Sequence, residues 1–331
     1  MKEKPYAIAL MSAGLDSSLA VKLIVDQGVS VKALHFVSTF FNAKSIETSK
    51  TIVKRICEKL GVGLVCVELT DDYINMIKAP KFGYGSAVNP CIDCRIFMLK
   101  KAREHMESVG AECIITGEVL GQRPMSQHRA QIQLIEKESG LEGRILRPLS
   151  AKHFLPTTAE KEGIIDRTKL LKIEGRSRKE QLAFAKTLGI DEFIPAAGGC
   201  LLCDTQFEKK LRDYFEHHLT ISLDEIELLK YGRHLRISEN VKLIVGRNET
   251  ENKWLENHAK NKMTCEVVDI PSPTTVIEGD PSSDELLLAA RITAAYSDAK
   301  EEQTVRVRCE NKELTVTPLD IKEVHSYLLY T

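Results

Sequence analysis

The 331-residue sequence has no apolar run that approaches the roughly 18 residues needed to span a membrane. Its first apolar stretch, residues 6–11, is followed at once by Ser12, Gly14 and Asp16, so it forms neither a signal-peptide core nor an anchor. The chain also has almost no net charge, because its 46 basic and 47 acidic side chains give a formal net charge of −1. The chain contains no internal repeat, low-complexity tract or heptad array. These absences predict a globular cytoplasmic protein that makes no membrane contact.

The sequence also lacks the even number of cysteines that a fully paired set of disulfides needs. Nine cysteines in a chain with no export signal do not indicate a disulfide framework. Five of them stand singly in apolar patterns and are predicted to be small buried side chains: Cys57, Cys66, Cys113, Cys265 and Cys309. The other four form the pairs Cys91-x-x-Cys94 and Cys200-x-x-Cys203, a spacing typical of metal-binding turns.

Charge is distributed unevenly along the chain. Residues 1–204 carry 29 basic and 24 acidic side chains, a net +5, whereas residues 205–331 carry 17 and 23, a net −6. Residues 143–186 hold 11 basic and 5 acidic side chains, a local +6. A polyanion would therefore be attracted to the first part of the chain. A solvated surface is the alternative explanation of such a run.

Hydrophobic patterns divide the chain into two parts, predicted as domains 1–204 and 205–331. In the first, strand patterns alternate with helix patterns, which predicts an α/β fold with a doubly wound parallel sheet. Its predicted strands cover 6–11, 31–37, 64–69 and 112–116, and its predicted helices cover 17–27, 43–60, 95–109 and 178–188. The second part is predicted to be a smaller α+β domain. Its strands are expected at 241–245, 265–270, 304–309 and 312–317, with helices around 206–218 and at 284–296 and turns at 271–281.

The loop Ser12–Ser18 joins the first strand to the first helix. Its small residues allow a ligand close to the backbone, and the N–H groups of a helix N-terminus attract an anion. Asp16 would either hold Mg²⁺ or cap the helix. No Walker A loop or dinucleotide fingerprint is present. A plain strand–turn–helix connection is the alternative to a phosphate site.

This loop resembles the Ser-Gly-Gly-x-Asp-Ser signature of the PP-loop ATP pyrophosphatases, with Ala13 in place of a glycine. Enzymes of that class adenylate a carbonyl oxygen and release pyrophosphate. Residues 116–122, followed by Ser126-Gln127, resemble a block of the tRNA 4-thiouridine synthases, and residues 145–149 and 188–190 extend the similarity. No segment resembles the THUMP or rhodanese domains of those enzymes.

The resemblance implies a set of ATP-binding residues and a chemical role for Asp16. The phosphates would lie against Ser12, Ala13, Gly14, Asp16, Ser17 and Ser18, with Mg²⁺ between them. The adenine would be bordered by His35, Phe36, Thr116, Gly117, Glu118 and Gln122.

The two cysteine pairs allow three interpretations. Two such pairs can bind one Zn²⁺ or one iron–sulfur cluster. A resemblance to cluster-dependent tRNA thiolases implies a [4Fe–4S] cluster on Cys91, Cys94 and Cys200, with Cys203 as a fourth ligand or a nearby thiol. The alternative is a redox pair in which Cys200 takes a persulfide and Cys203 resolves it. Structural zinc is the third interpretation. The alternative to all three is that the cysteines are unrelated free thiols.

Two regions are predicted to contact RNA. In the basic segment these residues are Arg147, Lys152, Arg176 and Arg178. Residues 228–310 resemble the RNA-binding domain of the NFACT family, in which the candidates are Arg233, His234, Arg236, Lys242, Arg247 and Asn248. The alternative for this domain is a scaffold or a homodimerisation module.

Together these features predict an ATP-dependent tRNA sulfurtransferase that uses Asp16, Cys200 and Cys203, with tRNA and a sulfur donor as partners. Two alternatives stay open. One is a PP-loop sulfurtransferase or amidotransferase that acts on a small molecule, and the other is a non-catalytic RNA-binding adaptor.

Overall fold

The computed structural model describes residues 6–41, 46–193, 200–218, 223–259 and 262–330. Its chain divides into two compact units, Met1–Cys203 and Asp204–Thr331. Gly198 and Gly199, which precede Cys200 in the sequence, lie outside the described residues. No helix of the described part is both long enough and apolar enough to cross a bilayer.

The first unit is built on a five-stranded sheet in the order β3-β2-β1-β4-β5, and all its pairings are parallel. The strands are β1 (Ala7–Leu10), β2 (Val31–Val37), β3 (Gly63–Glu68), β4 (Cys113–Ile115) and β5 (Ile145–Leu146). Strand β1 is buried at the centre of the sheet. Because β2 and β4 pair with it in parallel, the carboxyl ends of all three strands meet at one edge of the sheet. The predicted doubly wound α/β fold is confirmed. The short strand β5 was not predicted, because two residues are too few to show a strand pattern.

Among the described residues of this unit, helices lie between and after these strands. They are α1 (Leu15–Val25), α2 (Ile46–Leu60), α3 (Asp71–Lys78), α4 (Cys91–Val109), α5 (Arg129–Ser139), α6 (Thr158–Lys161) and α7 (Lys179–Thr187). Helices α1 to α5 lie between the strands, and α6 and α7 follow β5. Helix α4 ends where Gly110 adopts φ +68°, a left-handed conformation that favours glycine. It begins at Cys91, one turn earlier than its apolar pattern predicts, so the first cysteine pair lies in its first turn.

The second unit contains a six-stranded antiparallel sheet in the order β11-β10-β8-β9-β7-β6. Its strands are β6 (Arg233–Arg236), β7 (Lys242–Val245), β8 (Met263–Val267), β9 (Thr275–Glu278), β10 (Val305–Cys309) and β11 (Lys312–Val316). Its helices are α8 (Thr205–His217), α9 (Leu223–Leu228), α10 (Glu249–His258), α11 (Ser283–Ala295) and α12 (Ile321–His325). The predicted α+β class is confirmed. The turns expected at 271–281 are wrong in part, because β9 lies there as a fully buried central strand.

Four of the five single cysteines are buried as predicted, and two of those four are joined in an unpredicted disulfide. Cys57 and Cys113 are buried, as expected, whereas Cys66 is exposed on β3. Cys265 and Cys309 face each other across β8 and β10 and form a disulfide. Their sequence separation of 44 residues gave no indication of this, because the antiparallel register alone brings them together.

Candidate functional site

The loop between β1 and α1 folds around its own hydroxyl groups. Ser17 Oγ donates to the Gly14 carbonyl (2.9 Å) and accepts from the Ser12 backbone N–H (3.3 Å). Ser12 Oγ lies 3.1 Å from Ser17 Oγ and accepts from the Gly14 N–H. Ala13 adopts φ +56°, the left-handed conformation in which the related signature has a glycine. A non-glycine residue is held there only where the surrounding structure compensates for the strain.

Helix α1 presents its N-terminus at this loop. Its capping residue, Gly14, provides no side-chain cap, so the first-turn N–H groups stay available to an anion. Gly117, which follows β4, packs directly on this turn: a Cβ there would lie 2.5 Å from the Ser17 backbone nitrogen. The two sequence motifs are therefore in direct backbone contact, and only a glycine permits it.

The Asp16 carboxylate is held from one side. Gln122 Nε2 donates to Asp16 Oδ2 (2.8 Å), and Arg178 Nη2 lies 3.5 Å from the same oxygen. Gln181, which is fully buried on α7, donates from Nε2 to Gln122 Oε1 (3.1 Å). Gln181 belongs to no motif, so sequence reasoning missed it.

Among the described residues, three atoms of this cluster are buried without a hydrogen-bond partner: Asp16 Oδ1, Arg178 Nε and Gln181 Oε1. An unpaired buried polar atom is unfavourable, and a bound ion or water is one way in which a native site satisfies it. A carboxylate oxygen is the donor that Mg²⁺ prefers, and the cation usually also binds substrate phosphates. The free Asp16 Oδ1 beside the uncapped helix therefore fits a magnesium ion that accompanies a phosphate.

Glu118 is not placed to contact a nucleotide. It is 3% exposed, and Arg95 (2.7 Å), Arg147 (3.0 Å) and the Thr116 hydroxyl (3.2 Å) all bind its carboxylate. Burial alone would raise the pKa of Glu118, but the two arginines outweigh it and lower the value to about 2. The predicted role of Glu118 at the adenine is therefore wrong, and its carboxylate anchors α4 to the segment after β4.

His35 and Phe36 are buried near the end of β2. His35 Nδ1 donates to the Met11 carbonyl (2.8 Å), which leaves Nε2 to accept from Ser49 Oγ (3.2 Å). Burial lowers the pKa of His35, so its ring is neutral at pH 7. The contact of these two residues with adenine stays a prediction.

The two cysteine pairs converge. Asn89 Nδ2 donates to Cys203 Sγ (2.9 Å) and also hydrogen-bonds Cys91, so one buried amide bridges the pairs. Tyr73 hydroxyl lies 3.2 Å from Cys94 Sγ. In the second pair, Cys203 ends a 3₁₀ turn (Leu201–Cys203) and Cys200 directly precedes it. Tyr73 was not identified from the sequence.

The four thiols differ in exposure. Cys203 is exposed, whereas Cys91, Cys94 and Cys200 are half-buried. Burial raises the pKa of Cys94 to about 11 and that of Cys200 to about 12, and it also raises the pKa of Cys91. The charges of the other three thiols raise the pKa of Cys200 further, which shows how close the four lie.

Among the described residues, no three His, Cys, Asp or Glu side chains adopt a metal-binding arrangement. In this structure the sulfurs of Cys94 and Cys203 hydrogen-bond to Tyr73 and Asn89 instead. The donor set consists of four neighbouring cysteines, and thiolates are the ligands of iron–sulfur clusters and of structural zinc. The chemistry of the donors therefore fits such a group, although their side-chain orientations are not those of ligands.

The segment after β4 links the thiols to the phosphate loop. Gln122 contacts Asp16, while the charge of the adjacent Arg123 offsets a small part of the rise that burial causes in the pKa values of Cys91 and Cys94. This places both features at the same edge of the sheet, where the strands end and ligands of such folds bind.

The basic segment is only partly available to RNA. Lys152 and Arg176 are exposed, so their predicted RNA contacts stay open. Arg147 is 3% exposed and ion-paired with Glu118, so its predicted RNA contact is wrong. Arg178 is half-buried and points at Asp16 rather than outward.

Several predicted RNA contacts in the second unit are internal. His234 is fully buried, and so is Lys242, whose ammonium group lies 3.2 Å from Asp213. Arg236 makes a two-pronged ion pair with Asp213 (2.7 and 2.8 Å). For His234 and Lys242 the prediction is wrong, and for Arg236 the guanidinium is already engaged. Asn248 caps α10 through its side chain.

The sequence profile of the family described as "Thiamine biosynthesis protein (ThiI)" matches residues 3–182, more than half of the chain. The chain belongs to the ThiI family. A second profile, described as "NFACT protein RNA binding domain", matches residues 232–328. The two profiles lie in different structural units.

Curated relatives of this ThiI-family chain include a probable tRNA sulfurtransferase of Thermococcus kodakarensis, 27% identical over 48% of this chain and 39% of the relative. One of the same name from Lysinibacillus sphaericus is 29% identical over 35% of this chain and 28% of the relative. This chain thus spans well under half of the relatives it matches. Among solved structures, a 4-thiouridine synthetase–RNA complex with bound ATP is 19% identical, with a TM-score of 0.42, over 68% of this chain and 52% of that one.

Proposed function

We propose that the protein is an ATP-dependent tRNA sulfurtransferase that adenylates a uridine carbonyl oxygen and replaces it with sulfur. One observation carries the proposal: the unpaired Asp16 Oδ1 belongs to the first turn of α1, whose N-terminus has no side-chain cap and follows the loop that resembles a pyrophosphatase signature. Membership of the ThiI family and the names of its relatives support the choice of substrate.

In the adenylation step, the α1 N-terminus and the loop hold the triphosphate, and Asp16 would hold an Mg²⁺ that screens the phosphate charge. Gln122 and Arg178 keep the carboxylate oriented through Oδ2. The uridine oxygen attacks the α-phosphorus, the bond to the bridging oxygen breaks, and pyrophosphate leaves with that electron pair. Electrostatic stabilisation by preorganised donors is the main contribution expected of such a loop.

In the second step, a sulfur nucleophile attacks the activated carbon, and AMP leaves with the former uridine oxygen. An external donor supplies this sulfur as sulfide or as a persulfide. With a persulfide, the outer sulfur forms the new C–S bond, and a second thiol then attacks the inner sulfur, so that the S–S bond breaks, a disulfide forms and the thiouridine is released. Cys203 is the exposed thiol of the four, so we assign it the contact with the donor. A cluster bound by the remaining cysteines would supply an open iron for sulfide.

The adenylation step is tested with Asp16→Asn, which keeps the size of the side chain and removes its charge. We expect tRNA-dependent ATP–pyrophosphate exchange to fall at least 100-fold, in line with loss of a charged group at a transition state. Asp26→Asn is the matched control, because Asp26 caps the other end of α1 and is ion-paired with Lys22, away from the loop. Full exchange by Asp16→Asn would refute the role of this carboxylate.

Sulfur transfer is tested by mass spectrometry of tRNA nucleosides. With ¹⁸O in the uridine carbonyl, we expect the label in AMP and sulfur in the nucleoside. Cys203→Ser should abolish thiouridine formation, whereas Cys66→Ser, which removes another exposed thiol, should not. Labelled AMP formed from a small molecule, with unmodified tRNA, would favour the small-molecule alternative. A protein that binds tRNA but never forms AMP would favour the adaptor.

A further inference from the structure

Helix α7 carries an amide that is fully buried. Gln181 is 0% exposed and lies one turn before Ala185, on the face of the helix that packs against the apolar cluster around α1. A buried amide is unfavourable unless it is hydrogen-bonded. Among the described residues, Gln181 satisfies only half of its amide, because Nε2 donates to Gln122 Oε1 (3.1 Å) and Oε1 is unpaired. Packing would favour an apolar side chain here, so the glutamine indicates another role.

The Asp16 carboxylate sets the direction of each hydrogen bond in this chain of contacts. An ionised carboxylate accepts hydrogen bonds and donates none. Gln122 therefore turns its Nε2 towards Asp16 Oδ2 (2.8 Å), which leaves Gln122 Oε1 as an acceptor. Gln181 supplies the donor for that oxygen and so fixes the orientation of the Gln122 amide. Without this donor, the Gln122 amide would be free to turn over and present its oxygen to the carboxylate.

Backbone contacts place the two glutamines side by side. Leu120 forms a parallel β-bridge with Glu174, and the Gly175 N–H donates to the Leu120 carbonyl (2.7 Å). Gln122 lies just after this bridge on one segment, and α7 begins just after it on the other. A side chain that is supported in this way by rigid elements is preorganised for its ligand.

The two groups that hold Asp16 differ in charge. Gln122 is neutral and donates at 2.8 Å, whereas the Arg178 guanidinium lies 3.5 Å from the same oxygen. A neutral amide orients a carboxylate without cancelling its charge. Asp16 Oδ1, which is buried without a partner among the described residues, therefore keeps its negative charge in the first turn of α1. A carboxylate oxygen in this state suits a hard cation such as Mg²⁺.

We propose that Gln181 is a positioning residue for the Mg²⁺ that accompanies ATP. It holds the Gln122 amide, the amide holds Asp16 Oδ2, and Oδ1 is left for the cation. In this assignment Gln181 touches neither the nucleotide nor the metal. The assignment rests on the proposed function only in taking MgATP as the ligand, and it requires neither tRNA nor a sulfur donor.

The test measures ATP binding by the full chain through isothermal titration, once with Mg²⁺ and once with EDTA in its place. Gln181→Met keeps the length of the side chain and removes both polar atoms. Gln27→Met is the matched control, because Gln27 also has one bonded and one unpaired amide atom but follows the other end of α1. Thermal unfolding of each variant verifies that it is folded.

The two titrations separate a metal effect from a general loosening of the loop. We expect Gln181→Met to weaken MgATP binding about fivefold, the equivalent of one net hydrogen bond of about 1 kcal/mol. Metal-free ATP should bind as it does to the wild type, and Gln27→Met should match the wild type in both titrations. Equal weakening with and without Mg²⁺ would overturn the proposal, because Gln181 would then support the phosphate loop itself. Wild-type affinity of Gln181→Met for MgATP would overturn it as well.

A double-mutant cycle tests the route through Gln122. In a Gln122→Ala background, Gln181→Met should cause no further loss of MgATP affinity, because the amide that it holds is gone. Additive losses would show that Gln181 acts by another route and would refute the positioning role.

The same titrations keep this assignment distinct from the proposed function. A chain that binds MgATP and shows the Gln181 effect, but releases no pyrophosphate and thiolates no tRNA, would refute the proposed function and leave the assignment standing. A chain that binds no ATP under either condition would refute both.

Discussion

Replacement of Glu118 by Gln distinguishes a structural carboxylate from a nucleotide ligand. The change keeps the shape of the side chain but removes the negative charge between Arg95 and Arg147. The pKa of Glu118 falls from its ordinary 4.5 to about 2, and this difference corresponds to about 3 kcal/mol of stabilisation. Breaking a buried ion pair from one side costs about 3–5 kcal/mol in general. Both routes predict that Glu118→Gln lowers the free energy of unfolding by about 3 kcal/mol at neutral pH.

The pH dependence of this effect has a definite sign. A carboxyl whose pKa is lowered on folding stabilises fully above its unfolded value and loses that contribution as the pH falls towards its folded value. The difference between wild type and Glu118→Gln, measured by denaturant unfolding, should therefore be constant above about pH 4.5 and shrink below it. Glu104→Gln, which alters an exposed carboxylate on α4, should show no such trend.

Nucleotide titration of the folded variant provides the decisive readout. Because the Glu118 oxygens face Arg95, Arg147 and Thr116, ATP affinity should stay close to wild type. A large loss of ATP affinity with unchanged stability would refute the structural role and restore the nucleotide contact.

Two further predictions concern the loop and the thiols. Gly117→Ala should abolish ATP binding, because the added methyl would overlap backbone atoms of the first turn of α1. Isothermal titration would measure the ATP affinity. Normal affinity would show that this close backbone contact is not needed. In iodoacetamide labelling at pH 8 followed by peptide mass spectrometry, the exposed Cys203 should react first, whereas Cys94 and Cys200, with pKa values of about 11 and about 12, should hold about one thiolate in a thousand or fewer. Equal labelling of Cys203, Cys94 and Cys200 would contradict the burial of Cys94 and Cys200.

Local patterns were sufficient for elements whose burial follows a regular period. Strand β2 was predicted with the bounds it has, because its residues 31–37 are mostly apolar and have a β-branched valine at each end. The loop after β1 was recognised because small residues and hydroxyls are adjacent in sequence. Strand β9 was missed because the prolines and glycine around it mask four buried residues.

Charged side chains were the least predictable. Arg147 and His234 belong to runs that suggest a basic surface, but each is folded inward, where Glu118 and the Tyr231 carbonyl are its partners. A charge in sequence does not reveal its distance from an opposite charge, which depends on the register of strands far apart in the chain.

The sequence by itself determined the α/β class of the first unit, the phosphate loop and the presence of two cysteine pairs, because each depends on neighbours within about seven residues. Only the tertiary structure decided that Gln181 reaches Asp16 through Gln122, that Asn89 bridges the thiols, and that Cys265 and Cys309 are joined. Those contacts depend on which strands pair and which helices pack on them. That choice is made by burial of the whole core rather than by any local segment.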